Sequence, residues 1–351
     1  MSQNTALRVI TNAASERVAA AAERLAEEAG GPRSIRYVKT LRISVTDHCN
    51  LRCLYCMPEE GLEWLPRDEL LTYEEIADIA RAALHHGIRE FKITGGEPMV
   101  RKDLDRLIHM LRSLRGCGEI SMTTNGVLLD RDALKLRDAG LDRITVSMDT
   151  LDPAKFRAIT RTGDLARVWS GVRAAEESGF PPVKINVVVM REHNLDEVAD
   201  FAELTRHSPR TIRFIEFMPL GRSRLLMQDE KFAAYPEIRA RIEAAHGALE
   251  PAGEDAGSGP ARVWRIPDAA GRIGFIHAIS APFCSTCNRL RLTCNGQLRS
   301  CLFDGGEIDV RAILRPNFDA ARLRQAFVDC VVLKPDQHQR YGTRQMSQIG
   351  G

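Results

Sequence analysis

Three cysteines, Cys49, Cys53 and Cys56, fall in the run Cys49-Asn50-Leu51-Arg52-Cys53-Leu54-Tyr55-Cys56, just after a strand-like stretch from Leu41 to Thr46. Three thiolates can ligate three irons of a cubane cluster and leave the fourth iron without a protein ligand. A cluster with every iron capped mostly carries electrons, whereas an open iron can bind a small molecule and do chemistry on it. The same residues admit a zinc site or three unconnected buried thiols, although structural zinc takes four ligands, usually as two close pairs.

A second group has similar pair-plus-one spacing: Cys284, Cys287 and Cys301, within and after Phe283-Cys284-Ser285-Thr286-Cys287-Asn288-Arg289-Leu290-Arg291-Leu292-Thr293. Arg289 and Arg291 alternate, so in a strand they share one face. Guanidinium groups beside a cluster can grip a phosphate or a base edge through paired hydrogen bonds. A zinc ribbon with solvated arginines is the alternative. Cys294 lies between the members of this triplet and would either cap the open iron or stand by; the complete triplet favours a bystander.

The elements that must position these groups show in the periodicity. Strand-like runs at Leu41–Thr46, Glu90–Thr94, Ile120–Thr124, Arg143–Met148, Val183–Met190 and Ile212–Phe217 alternate with helical segments at Tyr73–His86, Leu104–Leu114, Arg131–Ala139, Val168–Glu177 and Leu195–Arg206. Such alternation predicts a parallel sheet, and the stretch is short for an eight-unit barrel, so a partial (β/α)6 TIM-type barrel is expected. Chemistry in such sheets gathers at the carboxyl ends of strands. Thr94-Gly95-Gly96-Glu97-Pro98, Thr123-Thr124-Asn125-Gly126, Ser147-Met148-Asp149 and Glu216-Phe217-Met218-Pro219 all stand there. In the first of them, glycines let backbone approach a ligand closely.

After Leu220 the rhythm breaks. A helix over about Glu230–Ala245, a linker at Gly253–Pro260, β-like runs at Arg262–Ile266 and Ile273–Ile279, and a helix near Ala320–Val332 are expected. The expected division is an extension at 1–36, mobile or helical from Ser15 to Ala29, a barrel at 37–220, and a C-terminal α+β extension at 221–351.

The chain has 351 residues and a formal net charge of +2, so no global basic field argues for nucleic acid or an anionic membrane. No apolar run reaches the roughly 20 residues of a membrane span, and the first 36 residues lack a signal-peptide core. Nine cysteines, an odd number gathered mostly in two groups, point to metal in a reducing compartment rather than to disulfides. A cytoplasmic location is expected.

Taken together, Cys49 to Cys56, Thr94 to Pro98, Ser147 to Asp149, Phe214 to Met218, Phe283 to Arg291 with Cys301-Leu302-Phe303, and the terminal Ile349-Gly350-Gly351 resemble the GTP 3',8-cyclase family of molybdenum cofactor biosynthesis, within the radical S-adenosylmethionine (SAM) superfamily. The likeness runs from about Tyr37 to the C-terminus. It implies a barrel of the radical SAM kind, two 4Fe-4S clusters, and SAM as cofactor. Cys49, Cys53 and Cys56 would hold the cluster that cleaves SAM, with Tyr55, Gly96, Ser147 and Met218 contacting that cofactor. Cys284, Cys287 and Cys301 would hold the second cluster, whose open iron receives the guanine of GTP. Arg42, Lys92, Thr123, Lys184, Arg289, Leu290 and Arg291 would line the nucleotide site. Lys92 stands where an arginine also occurs among relatives, giving a point charge instead of a fork. The diglycine Gly350-Gly351 would reach into the active site. The resemblance further implies an electron donor, a downstream cyclic pyranopterin monophosphate synthase, and a homodimer as one assembly. A peptide-modifying radical SAM enzyme and a non-catalytic zinc scaffold are the rival readings of the same cysteines, separated from it by substrate and by metal content.

Overall fold

In the computed structural model, residues 31–226, 231–253, 259–303, 305–339 and 341–350 are described. The expected N-terminal helix lies outside them, as do Gly351 and most of the expected linker. Six strands, β1 (Thr40–Ser44), β2 (Glu90–Thr94), β3 (Ile120–Thr124), β4 (Arg143–Ser147), β5 (Lys184–Val189) and β6 (Thr211–Glu216), pair in sequence order, each parallel to the next. Helices α1 (Tyr73–His85), α2 (Leu104–Arg112), α3 (Leu129–Asp138), α4 (Pro153–Thr160), α5 (Leu165–Glu177) and α6 (Val198–Glu203) connect them.

Local signals account for most of these elements. Thr72 caps α1 through a reciprocal capping box with Glu75, and Ile76, Ile79, Ala80 and Ala83 recur at helical spacing on its buried face. Helix α4 was not foreseen, although its start is written plainly: Asp152 accepts from the backbone N–H groups of Ala154 and Lys155, and Pro153 occupies the first helical position. Along β1, Leu41 and Ile43 are fully buried in the layer under the helices, while Thr40 and Arg42 face the cavity on the other side. The alternation repeats in β2, where Phe91 and Ile93 join the core and Glu90 and Lys92 face inward.

Beyond Leu220 come α7 (Tyr235–His246), β7 (Glu250–Pro251), β8 (Arg262–Arg265), β9 (Arg272–Ile276), β10 (Arg289–Leu292), β11 (Gln297–Arg299), β12 (Glu307–Asp309), and the helices α8 (Arg311–Leu314), α9 (Ala320–Val332) and α10 (Met346–Ile349). These strands build both flanks of one sheet. Strand β9 pairs parallel with β6, and β10 pairs parallel with β1. The result is an open twelve-stranded sheet with β12 and β7 at its edges. Its central eight strands are parallel, so the six-unit partial barrel gains one parallel strand on each side from the C-terminal region.

Candidate active site

The inward faces of these strands enclose a cavity of about 260 Å³ lined from β1 to β6 and by the segments around β9, β10 and β11. The two cysteine groups stand at its two ends, with Cys284, Cys287 and Cys301 in the lining and the first triplet beside Tyr55, which lines the other end. Cys49, Cys53 and Cys56 follow the carboxyl end of β1, whereas Cys284 and Cys287 precede β10, whose Arg289 pairs with Thr40 at the amino end of β1. Cys301 follows β11, which runs antiparallel to β10 and so returns to that same end. With a rise of about 3.3 Å per residue, the five residues of β1 separate the mouths by more than about 13 Å.

The first triplet sits in a loop held from several sides. Burial, reinforced by Glu97, pushes the Cys49 thiol up to about 11; burial and Cys49 push Cys56 to about 12; burial and Cys56 hold Cys53 well above the usual thiol value. Cys53 and Cys56 each feel a neighbouring cysteine's charge, and thiols crowded in this way favour a shared cationic partner over independent ionisation. Among the described residues no three His, Cys, Asp or Glu donors close on a single ion. A cubane spreads its thiolates over different irons, so the donor set fits a cluster better than zinc. Arg52 donates to the carbonyls of Cys49 and Leu51, and Arg161, in a left-handed backbone at φ 62°, donates to those of Arg52 and Met57.

Gly95 and Gly96 show what the glycine pair is for. The N–H of Gly96 donates to Thr46 O at 2.7 Å and that of Glu97 to His48 O at 2.8 Å. A β-carbon on Gly96 would lie 2.3 Å from His48 O and 2.5 Å from Asp47 O. The close approach expected toward a ligand is therefore made to the backbone of the cysteine loop itself. Buried Glu97 then accepts from Thr124 Oγ1 (2.7 Å), Asn125 N (2.7 Å) and Met99 N (3.1 Å), tying this turn to the end of β3. Burial raises its carboxyl to about 7 despite those donors. Asn125 continues the chain by donating to Asn50 Oδ1 at 2.8 Å.

Tyr55, Ser147 and Met218 line the cavity near this mouth. The Tyr55 hydroxyl donates to Asp149 Oδ2 at 2.7 Å, and Asp149 Oδ1 accepts from Val188 N at 2.8 Å. Burial lifts the Asp149 carboxyl to about 6.

Midway along the cavity the walls turn cationic. Arg42, Lys92, Lys184, Arg213, Arg289 and Arg291 all line it. The register sets Arg42 beside both Lys92 and Arg291 on neighbouring strands. Burial, then Arg289 and Arg213, lowers Arg42 to about 9; burial, then Arg213, Arg42 and Lys184, holds Lys92 well below its usual value; burial and Arg42 do the same to Arg291. Desolvated cations that repel one another gain from a polyanion between them. Thr123 Oγ1 and Asn186 Oδ1, buried beside them, have no hydrogen-bond partner among the described residues.

At the far mouth Cys284, Cys287 and Cys301 face the cavity with Phe283, Leu302 and Phe303. Burial raises the Cys287 thiol, yet Arg289 and Lys334 outweigh it and bring that thiol down to about 7. The C-terminal tail closes the first mouth. The backbone of Ser347, in α10, reaches Cys56, and Arg291 Nη1 donates to Gly350 O at 2.6 Å. Gly350 adopts φ 70° with a virtual β-carbon 2.9 Å from Thr94 Cγ2 and 3.0 Å from Ser44 Cβ, a passage in which a side chain does not fit.

The Radical SAM superfamily profile matches residues 43–205, and the profile called Molybdenum Cofactor Synthesis C matches residues 210–340. A GTP 3',8-cyclase from Pelotomaculum thermopropionicum is 46% identical over 90% of this chain and 98% of its own length. Another GTP 3',8-cyclase, from Moorella thermoacetica, is 45% identical over the same shares of the two chains. The chain belongs to the GTP 3',8-cyclase family. At the level of fold alone, the crystal structure of Streptococcus suis SuiB bound to S-adenosylmethionine superposes with a TM-score of 0.54 at 14% identity, covering 86% of this chain and 71% of that one.

Within this family member the site departs from the sequence reading at Leu290 and at Arg213, while Cys294 stands where the bystander reading puts it. Leu290 was grouped with its neighbouring arginines, but its side chain alternates to the other face of β10 and is fully buried in the core, so any share in the cavity falls to its backbone. Cys294 follows the carboxyl end of β10, where Ser44 and Asp47 surround it and Leu71 N donates to its carbonyl, at the opposite end of the barrel from the triplet that brackets it in sequence. It therefore cannot cap a cluster held by Cys284, Cys287 and Cys301. Arg213 was missed: it lines the cavity and donates to Thr145 Oγ1 at 3.1 Å. Its signal in the sequence is a charge inside an otherwise apolar strand, which Arg42 and Lys184 share.

Proposed function

We propose that the protein converts GTP to (8S)-3',8-cyclo-7,8-dihydroguanosine 5'-triphosphate, the first step of molybdenum cofactor biosynthesis. The observation that carries this is the placement of two thiol triplets at opposite mouths of one cavity with a belt of cations between them. Cys49, Cys53 and Cys56 would hold a 4Fe-4S cluster, and Cys284, Cys287 and Cys301 a second. A reduced cluster held by the first triplet, with SAM beside it, would supply the one-electron chemistry that removes hydrogen from ribose C3'. Tyr55, Ser147 and Met218, which line the cavity, would contact SAM, and Gly96 positions the loop that would carry the cluster.

The chain's own task is placement and exclusion. Arg42, Lys92, Lys184, Arg213, Arg289 and Arg291 would neutralise the triphosphate, with Thr123 as a hydroxyl partner. Such gripping fixes the ribose relative to the first mouth, and near-attack geometry is what a short-lived radical requires. The wall of buried strand residues and the tail at Gly350 exclude water from the reacting atoms. A lumen lined by this many cations fits a nucleoside triphosphate far better than a peptide, which disfavours the peptide-modifying alternative.

An external one-electron donor, a downstream synthase acting on the product, a homodimer and a cytoplasmic setting complete the proposal. No helix among the described residues is long and apolar enough to cross a membrane. Anaerobic protein incubated with SAM, a reductant and GTP should yield the cyclised nucleotide together with 5'-deoxyadenosine. Deoxyadenosine without an altered nucleotide would keep the radical chemistry and remove GTP as substrate. Deleting Gly350 and Gly351 should abolish cyclisation while both clusters stay in place by iron content and absorbance. An active truncation would contradict the role given to the tail.

A further inference from the structure

One buried cation at the second mouth is not used by the mechanism above. Lys334 lies just past α9, 5% exposed, with its N–H bonded to Val331 O at 3.1 Å. Its ammonium donates to Cys287 O at 2.8 Å and stands 3.7 Å from Cys287 Sγ. The strongest charges acting on it are those of Cys287, Arg289 and Cys301, and its ammonium makes its hydrogen bonds to Cys287. The segment is pinned in place: Arg33 Nε donates to Lys334 O at 3.1 Å, and Ser300, the neighbour of Cys301, donates its hydroxyl to Leu333 O at 3.3 Å.

A lysine buried only for packing would be expected to end on a carboxylate or to reach water. This one ends on the carbonyl and the sulfur of a cysteine assigned to the second cluster. Hydrogen bonds to ligand sulfurs and the net charge nearby are among the chief determinants of an iron-sulfur reduction potential. Each electron added to a thiolate-held cluster makes it more negative, so a fixed positive charge beside one sulfur favours the reduced state. It also lowers the repulsion between that cluster and the anionic nucleotide it faces.

We propose that Lys334 is a positioning residue of the second cluster, holding the Cys287 arm through its carbonyl and raising the cluster's reduction potential through its ammonium beside the sulfur. This rests on the assignment of a cluster to Cys284, Cys287 and Cys301. The test is an electron-paramagnetic-resonance redox titration of the reconstituted full-length enzyme, as wild type, Lys334→Met, Lys334→Gln and Lys334→Arg. The second cluster's signal is assigned by its loss in a Cys284→Ala/Cys287→Ala/Cys301→Ala protein.

In the Met and Gln proteins the reduction equilibrium of the second cluster should fall at least tenfold, about 59 mV for a one-electron couple. The first cluster should be unmoved and the Arg protein should stay close to wild type. Loss of second-cluster iron from the Met and Gln proteins, with retention in the Arg protein, would likewise show that the charge is needed at this sulfur. Unchanged potentials, or the same loss in all three variants, would overturn the proposal while leaving the cluster assignment standing. A wild-type protein with no second cluster would instead remove that assignment.

Discussion

Alanine at Gly96 is expected to empty the first cysteine triplet and spare the second. The added methyl group would meet His48 O at 2.3 Å, Asp47 O at 2.5 Å and His48 C at 2.7 Å, all backbone atoms with no rotamer to yield. Relief requires either the turn after β2 to withdraw or the loop before Cys49 to rotate. Withdrawal breaks the Gly96 N to Thr46 O and Glu97 N to His48 O hydrogen bonds, and rotation moves Cys49 directly. Overpacking of this kind costs about 1–3 kcal/mol in a rigid setting. The functional cost is larger, because a cluster ligand displaced by about an ångström no longer reaches its iron. Iron should fall from about eight to about four per chain, from two cubanes to one, with SAM cleavage lost at least a hundredfold. Retention of both clusters and near-normal cleavage would show that the loop moves freely and that the glycine serves something else.

Methionine at Lys92 should make the ligand-free protein more stable and the enzyme worse. Among the described residues Lys92 makes one long hydrogen bond, to Thr145 Oγ1 at 3.5 Å, and its charge is opposed by Arg213, Arg42 and Lys184, each more strongly than Glu119 supports it. Its folded-state pKa is depressed below the unfolded value. For a base that ordering means the charged form is penalised by folding at any pH below the unfolded pKa, so the penalty is present at neutral pH. Replacing buried charge by an apolar side chain of similar length is neutral to stabilising, by about 1–4 kcal/mol. The same change removes a charge-assisted contact to phosphate, about 1.5–3 kcal/mol, so GTP should bind about tenfold to a hundredfold more weakly. Thermal unfolding of the ligand-free protein and calorimetric GTP binding check the two halves. Lower stability with unaltered GTP affinity would mean that the belt is held together by its own contacts and not by a polyanion.

The periodicity of the chain was enough for the barrel. Each of the six strands occurs within a residue or two of its expected place, because alternation of buried and cavity-facing side chains is a local property of a strand. The family resemblance put Arg42 and Lys184 in the nucleotide site, and strand alternation applied to β6 and β10 would have admitted Arg213 and turned Leu290 away. The two cysteine triplets were equally legible, since ligand spacing within a loop is written in consecutive residues.

Long-range pairing decided the rest. Nothing in the run from Phe283 to Leu292 says that β10 will lie parallel to β1, which is some 250 residues earlier in the chain, yet that pairing alone sets the second triplet at the mouth opposite the first. It also carries Cys294 to the far end of the barrel from the cysteines that flank it, and brings Gly350 under Arg291. The cysteine spacing and strand rhythm come from contacts between near neighbours in sequence, and so the chain by itself determined them. Which edges the late strands join is settled only when distant segments compete to cover the same apolar sheet, so the shared cavity and the belt of cations across it belong to the tertiary structure.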